Sequence, residues 1–106
     1  MVNRFDIYLV NLDDVATRDA KNTRPCVVVS PDEMNHNLSH VVIAPISASS
    51  GAYPSHIPIE LLGKQRAVIL DQLRAVDTDR LVKKIGEVDP AVRKQVSDRL
   101  CEFFAE

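Results

Sequence analysis

The sequence predicts a mainly β fold, a small antiparallel β-barrel or sandwich with one α-helix packed against it at the C-terminal end. Short apolar stretches of strand length follow one another through most of the chain, separated by polar and proline-containing loops. The clearest helical periodicity comes last. Strands followed by a single terminal helix are typical of an antiparallel sheet that one helix covers. The 106 residues suffice for one domain, which we place at 1–106.

The first half of the chain predicts three strands. Phe5 to Leu12 has apolar side chains in both of its alternating sets, so we expect cover on both faces for part of its length. Cys26 to Ser30 and Val41 to Ile46 are apolar almost throughout and are typical of buried strands. Asp13 to Thr23 is a polar loop, and Pro31 to His40 is a turn or one helical turn with a loop.

The second half predicts shorter elements. The stretch from Pro54 to Ile59 alternates as a strand does, and its internal proline indicates an edge position. The elements expected after it are a basic turn at Lys64-Gln65-Arg66, a strand from Ala67 to Leu73 with a polar end, a helical turn within Asp77 to Lys84, and a last short strand from Lys84 to Val88.

The terminal helix is predicted from Asp89 to Phe104. Asp89 suits the N-cap position, and Pro90 suits the first helical position. An apolar stripe at helical spacing is expected to be buried, namely Val92, Val96, Leu100 and Phe103 or Phe104. This stripe and the strand from Val41 to Ile46 offer more apolar surface than one small barrel easily hides, which predicts a homodimer.

Composition excludes several classes of protein. Hydrophobic residues make up 45% and charged residues 26% of the chain, as in ordinary globular domains, and the net charge of −2 predicts no general affinity for nucleic acid without a local basic patch. There is neither an apolar run long enough for a membrane span nor a signal peptide, so a cytoplasmic protein is expected. Cys26 and Cys101 lack metal-site spacing, and we interpret both as small buried hydrophobes.

Candidate chemistry collects where predicted strands begin or end. Arg24 stands before a rigid proline and a buried strand, Ser47 follows the third strand, and Asp71-Gln72 end the fifth. Loops at the ends of rigid strands are common places for binding groups. No phosphate-binding glycine loop, GxSxG or HExxH motif occurs, and a metal site built from His36, His40 and His56 is not expected in this loop-like context.

Five blocks in order make the chain similar to the MazF/PemK (Kid) family of toxins from type II toxin–antitoxin systems, and the resemblance covers nearly the whole chain. The blocks are FDIYLVNLD, TRPCVVVSPDEMN, VVIAPISA, YPSHIPI and AVILDQLRAVDTDRLVKKIGEVD. The resemblance implies the small SH3-like barrel shared by the CcdB and MazF proteins. It also implies a homodimer and a cognate MazE-like antitoxin, whose disordered tail would occupy the RNA groove.

The same resemblance implies a sequence-specific, metal-independent endoribonuclease that cleaves single-stranded mRNA through attack by the 2′-hydroxyl and needs no cofactor. Arg24 and Ser47 would stabilise the phosphate, and Asp71, Asp19 or His56 would assist with charge or protons. The residues expected to bind RNA are Arg18, Lys21, Thr23, Ser49, Lys64, Gln72 and Arg74. The local basic groove is expected from Arg18, Lys21, Arg24 and Lys64.

The sequence also departs from the family pattern. Some members carry an arginine just before the aspartate of the fifth strand, where this chain has Ile69-Leu70-Asp71, and Asp71 therefore also fits a structural role. Arg24 could equally hold a loop, and Ser47 could be a turn residue. Two other functions fit as well: a CcdB-like DNA gyrase poison without catalysis, or a catalytically silent homologue. The expected burial of Phe103 and Phe104 argues against the gyrase poison, which acts through an exposed C-terminus.

Overall fold

The computed structural model describes residues 1–12, 22–48 and 53–105, and most of the strands found there follow the apolar stretches of the sequence. Seven strands and two helices lie within these ranges. They are β1 (Asp6–Asn11), β2 (Thr23–Val28), α1 (Asp32–Asn35), β3 (His40–Ser47), β4 (His56–Leu61), β5 (Lys64–Ile69), β6 (Arg74–Asp77), β7 (Leu81–Glu87) and α2 (Pro90–Phe104). Neither helix is long and apolar enough to span a bilayer in this part of the chain.

The strands form one curled antiparallel sheet in the order β4-β5-β3-β2-β1-β7, with β6 paired to β3 in addition. β3 is the strand that the others share. Its first half pairs with β6, its middle with β2, and its last two residues, Ile46 and Ser47, with β5. The predicted fold class, a small antiparallel β-barrel or sandwich with a C-terminal helix, is confirmed, and the sheet is a curled half-barrel.

Apolar side chains cover both faces of the central strands, as the double apolar pattern of the first strand predicts. Alternate residues of a strand point to opposite faces, and here each set packs into its own core. The first core is closed by α2 and contains Ile7, Val27, Ala44, Ile46, Val68 and Val96 among others. The second core lies on the opposite face and contains Val10, Cys26, Val28, Val41, Ile43 and Val76.

The β4–β5 hairpin corrects the predicted basic turn. The turn residues are Leu62 and Gly63, both with positive φ, at 52° and 79°. Two positive φ values in a two-residue loop match the twist of the flanking strands. Lys64-Gln65-Arg66 are therefore the first residues of β5. Pro58 lies on β4, which ends the sheet order, so its predicted edge position is confirmed.

The segment after β5 also differs from the prediction. β5 ends at Ile69, and Leu70–Gln72 form a 3₁₀ turn instead of continuing the strand to Leu73. The strand β6 was not predicted, because only Val76 of its four residues is buried. A 3₁₀ turn at Thr78–Arg80 replaces the longer helical turn, and β7 therefore starts earlier than predicted.

The helix α2 has the predicted bounds, but its last turn is exposed. Asp89 occupies the N-cap position without a side-chain capping hydrogen bond. Val96 is fully buried, whereas Phe103 and Phe104 are 41% and 75% exposed, so their predicted burial is wrong. The stripe that reaches the core ends at Leu100, and the last turn extends beyond the packed face.

Cys101 is a second correction on this helix. It is exposed, although the sequence predicts a buried thiol. At 100° per residue, Cys101 lies about 140° around the helix from Val96, away from the core. Cys26 is buried as predicted.

The argument for extra apolar surface on the third strand is wrong as well, since Val41, Ile43, Ala44 and Ile46 are all buried within the chain itself.

Candidate active site

Arg24 is the second residue of β2, because this strand begins at Thr23, three residues earlier than the predicted start at Cys26. It is half-buried and faces Val10 of β1 across the ladder. The next residue, Pro25, pairs with Leu9, but the ladder to β3 begins only at Cys26. Proline is tolerated where a strand has a neighbour on one side only. Arg24-Pro25 therefore occupies a stretch of β2 that is open on its β3 side.

A pocket of about 320 Å³ lies at this opening. Its lining combines an apolar floor with two guanidinium groups and one amide, from Leu12, Arg24, Ile43, Pro45, Gln72, Leu73 and Arg74. The sheet register explains the gathering. Cys26 pairs with Pro45 and Arg74 pairs with Ile43, and residues two apart along a strand share a face. Arg24 and Arg74 consequently point to the same side of the sheet.

The positive charges of the two arginines both affect the pKa of one buried thiol, that of Cys26. Burial raises the pKa of the Cys26 thiol to about 12, while the positive charges of Arg24 and Arg74 oppose this rise. Neither arginine forms an ion pair with a carboxylate in the described ranges. Two cations that share a pocket without a counter-ion make a site of positive potential that favours anions.

Ser47 is the last residue of β3 and is half-buried. Arg24 and Ser47 each lie two residues beyond the Cys26–Pro45 pair, at the same end of the two strands and in the same alternating set. Ser47 is not among the residues that line the Arg24 pocket, and its joint action with Arg24 stays a prediction. β3 has by then left β2, since Ser47 pairs with Ala67 of β5.

Asp71 and His56 form a second polar cluster beside the pocket. Nε2 of His56 lies 3.5 Å from Oδ1 of Asp71, and the ring of Tyr53 stands edge-on to the imidazole with 5.1 Å between centroids. Nδ1 of His56 is buried and has no hydrogen-bond partner among the described residues. Asp71 is adjacent to Gln72 on the 3₁₀ turn, so this turn connects the cluster with the Arg24 pocket.

Several predicted residues lie elsewhere. Lys64 lines a different pocket of about 270 Å³, together with Leu9, Pro25, Leu61, Leu62, Arg66 and Ile85. Leu9 and Pro25 belong to the alternating sets opposite to Val10 and Arg24, so this pocket opens on the other face of the sheet. The structure therefore does not bring Lys64 together with Arg24. Thr23 begins β2 opposite Asn11. The other predicted residues, Arg18, Asp19, Lys21 and Ser49, lie outside the described ranges.

Each of the three histidines contacts a different polar side chain. His36 contacts Asn3 at 2.9 Å, and His40 lies 3.1 Å from Asp77. Across the described residues, no three His, Cys, Asp or Glu side chains are grouped as a metal site requires.

Comparison with known proteins places this geometry in a family. A family model described as PemK-like, MazF-like toxin of type II toxin–antitoxin systems matches residues 3–104. A curated relative, Endoribonuclease MazF of Staphylococcus saprophyticus, is 28% identical over 106 residues, covering 94% of this chain and 88% of its own.

Solved structures show the same fold at lower identity. An endoribonuclease from a mycobacterial species, in complex with its cognate antitoxin, superposes with a TM-score of 0.80 at 20% identity and covers 96% and 93% of the two chains. A MazE–MazF structure from Deinococcus radiodurans has a TM-score of 0.79 at 20% identity, with 98% and 95% covered.

Proposed function

The chain belongs to the PemK-like, MazF-like family of toxins from type II toxin–antitoxin systems, and from this premise we propose that it is an endoribonuclease that cleaves single-stranded mRNA. The observation that carries the proposal is the pocket that Arg24 and Arg74 both line without a carboxylate partner among the described residues. RNA supplies the matching charge, since each of its linkages is a monoanionic phosphodiester. Endoribonuclease is also the activity named for the curated relative. The setting for this activity is the cytoplasm, where mRNA is available.

The reaction we assign needs no external nucleophile. The 2′-oxygen of the RNA attacks the adjacent phosphorus and loses its proton to a base of the protein, and the bond to the 5′-oxygen breaks as that oxygen takes a proton from water. The products are a 2′,3′-cyclic phosphate and a 5′-hydroxyl. An internal nucleophile already lies near its target, which removes much of the entropic barrier. The protein must then stabilise the charge that develops on the phosphate oxygens.

Arg24 is suited to that charge. Its guanidinium presents a planar fork of donors that matches two phosphate oxygens, and its backbone is fixed by the ladder to β1 and by Pro25. We assign it electrostatic stabilisation, since an arginine is protonated throughout the accessible pH range. Ser47 would donate a hydrogen bond to the same phosphate from the end of β3.

Proton transfer falls to the neighbouring cluster. Asp71 carries a carboxylate on the 3₁₀ turn that borders the pocket, and His56 contacts it. Imidazole and carboxylate are both common proton acceptors in catalysis. In this proposal Asp71 or His56 accepts the 2′-proton, or Asp19 accepts it or holds Arg24. Gln72 and Arg74 bind the chain beside the reacting linkage, and Arg18, Lys21, Thr23 and Ser49 extend the contact with RNA. Lys64 lies in the pocket on the other face of the sheet and takes no part in this contact.

Partners follow from family membership and from exposed surface. We propose a homodimer and a cognate antitoxin, and two of the solved neighbours are complexes whose names include an antitoxin or MazE. An acidic, disordered antitoxin tail would compete with RNA for the two arginines and pay its ordering entropy on binding. The end of α2, where Phe103 and Phe104 are exposed, offers apolar surface for an interface.

Family membership also decides against the gyrase poison. The sequence argument against it, burial of Phe103 and Phe104, is wrong. The argument against a gyrase poison now rests on the match of the toxin family model over residues 3–104.

The test is single-turnover cleavage of a short RNA by the pure protein in EDTA. Arg24→Ala should lower the rate by at least ~100-fold, the scale for removal of one electrostatic stabiliser. Arg24→Lys should recover only part of that loss, because a point charge cannot make bidentate contact. Ser47→Ala should have a smaller effect, as it removes one neutral hydrogen bond.

Circular dichroism of each variant serves as the folding control, and sequencing of the cleaved ends identifies the RNA motif. A folded Arg24→Ala protein that cleaves at the wild-type rate would refute the role of Arg24. A wild-type protein that leaves RNA intact but inhibits DNA gyrase would refute the nuclease.

A further inference from the structure

We propose that Arg74 is a second phosphate-binding group, which holds the linkage next to the one that is cleaved and sets substrate affinity rather than the rate of the chemical step. The proposal rests on the endoribonuclease function above. Some family members carry an arginine just before the aspartate, where this chain has Ile69-Leu70-Asp71. The proposal gives Arg74 of β6 a phosphate-binding role that this missing arginine leaves unfilled.

The two residues before Asp71, Ile69 and Leu70, cannot bind phosphate. Ile69 ends β5 and is 5% exposed, so its side chain belongs to the interior. The segment then makes its 3₁₀ turn at Leu70–Gln72 and returns as β6, with Arg74 opposite Ile43. This return places the guanidinium of Arg74 in the pocket that Arg24 lines.

Charge balance indicates more than one phosphate. A phosphodiester carries a single negative charge, so one linkage would neutralise only one of the two guanidinium groups. Two consecutive linkages neutralise both. Because the described part of the chain supplies no carboxylate to either arginine, the two positive charges repel each other, and binding of two phosphates would relieve that repulsion.

The register separates the tasks of the two arginines. Arg24 lies at the Ser47 end of β3, whereas Arg74 is opposite Ile43, four residues earlier. Four residues of a strand span about 13 Å, so the backbone positions of the two arginines are separated along β3 although both side chains line one pocket. Ser47 supplies a hydroxyl at the Arg24 end, which places the reacting linkage there and leaves the neighbouring linkage to Arg74.

Arg74 and Arg24 line the same pocket. The charge of Arg74 reaches the buried thiol of Cys26, as does that of Arg24. Arg66 provides the contrast, because it lines the pocket on the opposite face of the sheet. Arg66→Ala therefore makes the same change in net charge away from the site and is the matched control.

The experiment separates binding from the chemical step. Affinity is measured by fluorescence anisotropy on a short RNA with a 2′-O-methyl group at the cleaved position, and the rate is measured on the cleavable RNA at saturating protein. Arg74→Ala should weaken binding about tenfold, the scale of one charge-assisted contact. The rate at saturation should stay within about threefold, and the salt dependence should fall by about one phosphate contact.

A second substrate identifies the contact. Replacing one linkage beside the cleaved one by an uncharged methylphosphonate, on each side in turn, should weaken binding to the wild-type protein at one of the two positions. At that position Arg74→Ala should show no further loss, whereas Arg66→Ala should behave as the wild type does.

The outcomes that overturn the proposal are distinct from failure of the nuclease. If the wild-type protein cleaves RNA but Arg74→Ala and Arg66→Ala bind and cleave alike, Arg74 has no role in substrate binding. If Arg74→Ala lowers the saturated rate by ~100-fold at unchanged affinity, Arg74 acts on the reacting phosphate instead. Absence of cleavage by the wild-type protein overturns the proposed function, while the anisotropy comparison still decides whether Arg74 contacts a phosphate.

Discussion

Alkaline pH should destabilise this protein through one buried thiol, that of Cys26. The side chain is 0% exposed, and its S–H donates to the carbonyl oxygen of Arg24 at 3.5 Å. Burial raises the thiol pKa from 9.0 to about 12, although the charges of Arg24 and Arg74 act in the opposite direction. The thiolate is thus disfavoured in the folded protein and free to form in the unfolded chain.

The sign and size of the effect follow from proton linkage. Below about pH 9 the thiol is protonated in both states, and its contribution to stability is fully present. As the pH rises towards about 12, the unfolded chain loses the proton first, so stability falls by ~1.4 kcal/mol per pH unit. The loss is therefore ~1.4 kcal/mol near pH 10 and ~2.7 kcal/mol near pH 11.

The assay is urea unfolding at a series of pH values from about 8 to about 11, for the wild type and for Cys26→Ala and Cys101→Ala. Tyr8 and Lys84 also have raised pKa values, through burial and through the hydrogen bond to Asp6 respectively. Both groups remain in every variant, so the difference in slope isolates Cys26. Cys26→Ala should flatten the alkaline decline, whereas Cys101→Ala should leave it unchanged because Cys101 is exposed.

A thiol reagent applied near pH 8 provides a control, since the folded protein should react at Cys101 alone and at both thiols in denaturant. Equal alkaline slopes for the wild type and Cys26→Ala would refute the reasoning, because the Cys26 thiol would then ionise as easily in the folded protein as in the unfolded chain.

Two further predictions concern stability. Val96→Ala should lower the free energy of unfolding by ~2 kcal/mol, because Val96 is fully buried on the core-facing side of α2, whereas Phe104→Ala should change it by less than ~0.5 kcal/mol in the same urea titration; equal losses would mean that the end of the helix is packed after all. Asp6→Asn should be destabilising by ~2–4 kcal/mol, since buried Asp6 accepts the Asn3 N–H at 2.9 Å and contacts Lys84 at 3.2 Å. The exposed pair offers the matched control, and Asp98→Asn beside Lys94 should have an effect below ~0.5 kcal/mol.

Local pattern was sufficient for most of the fold. Runs such as Cys26–Val29 and the stripe of Val92 and Val96 identify their elements because burial of apolar side chains dictates the period. Pro58 predicts an edge position because proline has no backbone N–H to donate to a neighbouring strand. These features depend only on residues that are close in sequence, so a single sequence is enough to predict them.

The errors lie where tertiary context overrides local pattern. β6 exposes three of its four residues, and its pairing with β3 depends on a turn whose apolar residue, Leu70, resembles a continuing strand. The hairpin at Leu62-Gly63 lacks the usual Asn-Gly signal, and its glycine was the one cue available. Phe103 and Phe104 keep the helical period of the core stripe, but the period does not show where the sheet beneath the helix ends.

The candidate site was predictable in its members rather than in its arrangement. The sequence and its family resemblance indicated Arg24, Ser47 and Arg74 as separate candidates. Only the register of β3 with β2 and β6 shows that Arg24 and Arg74 share a pocket, while Lys64, close in type and charge, faces the other side of the sheet.

The opening that holds the site is a consequence of one strand serving three neighbours. β3 pairs with β2 only from Ile43 to Pro45 and then turns to β5 at Ile46. A strand left without a neighbour exposes its backbone donors, and Pro25 has no donor to expose. The Arg24 side chain thus projects beside a gap in the sheet that the backbone tolerates, and β6, returning along the first half of β3, supplies the facing wall. The charge pattern follows from this topology, because the 3₁₀ turn that carries Asp71 and Gln72 leads into β6, whose first residue, Arg74, lines the Arg24 pocket.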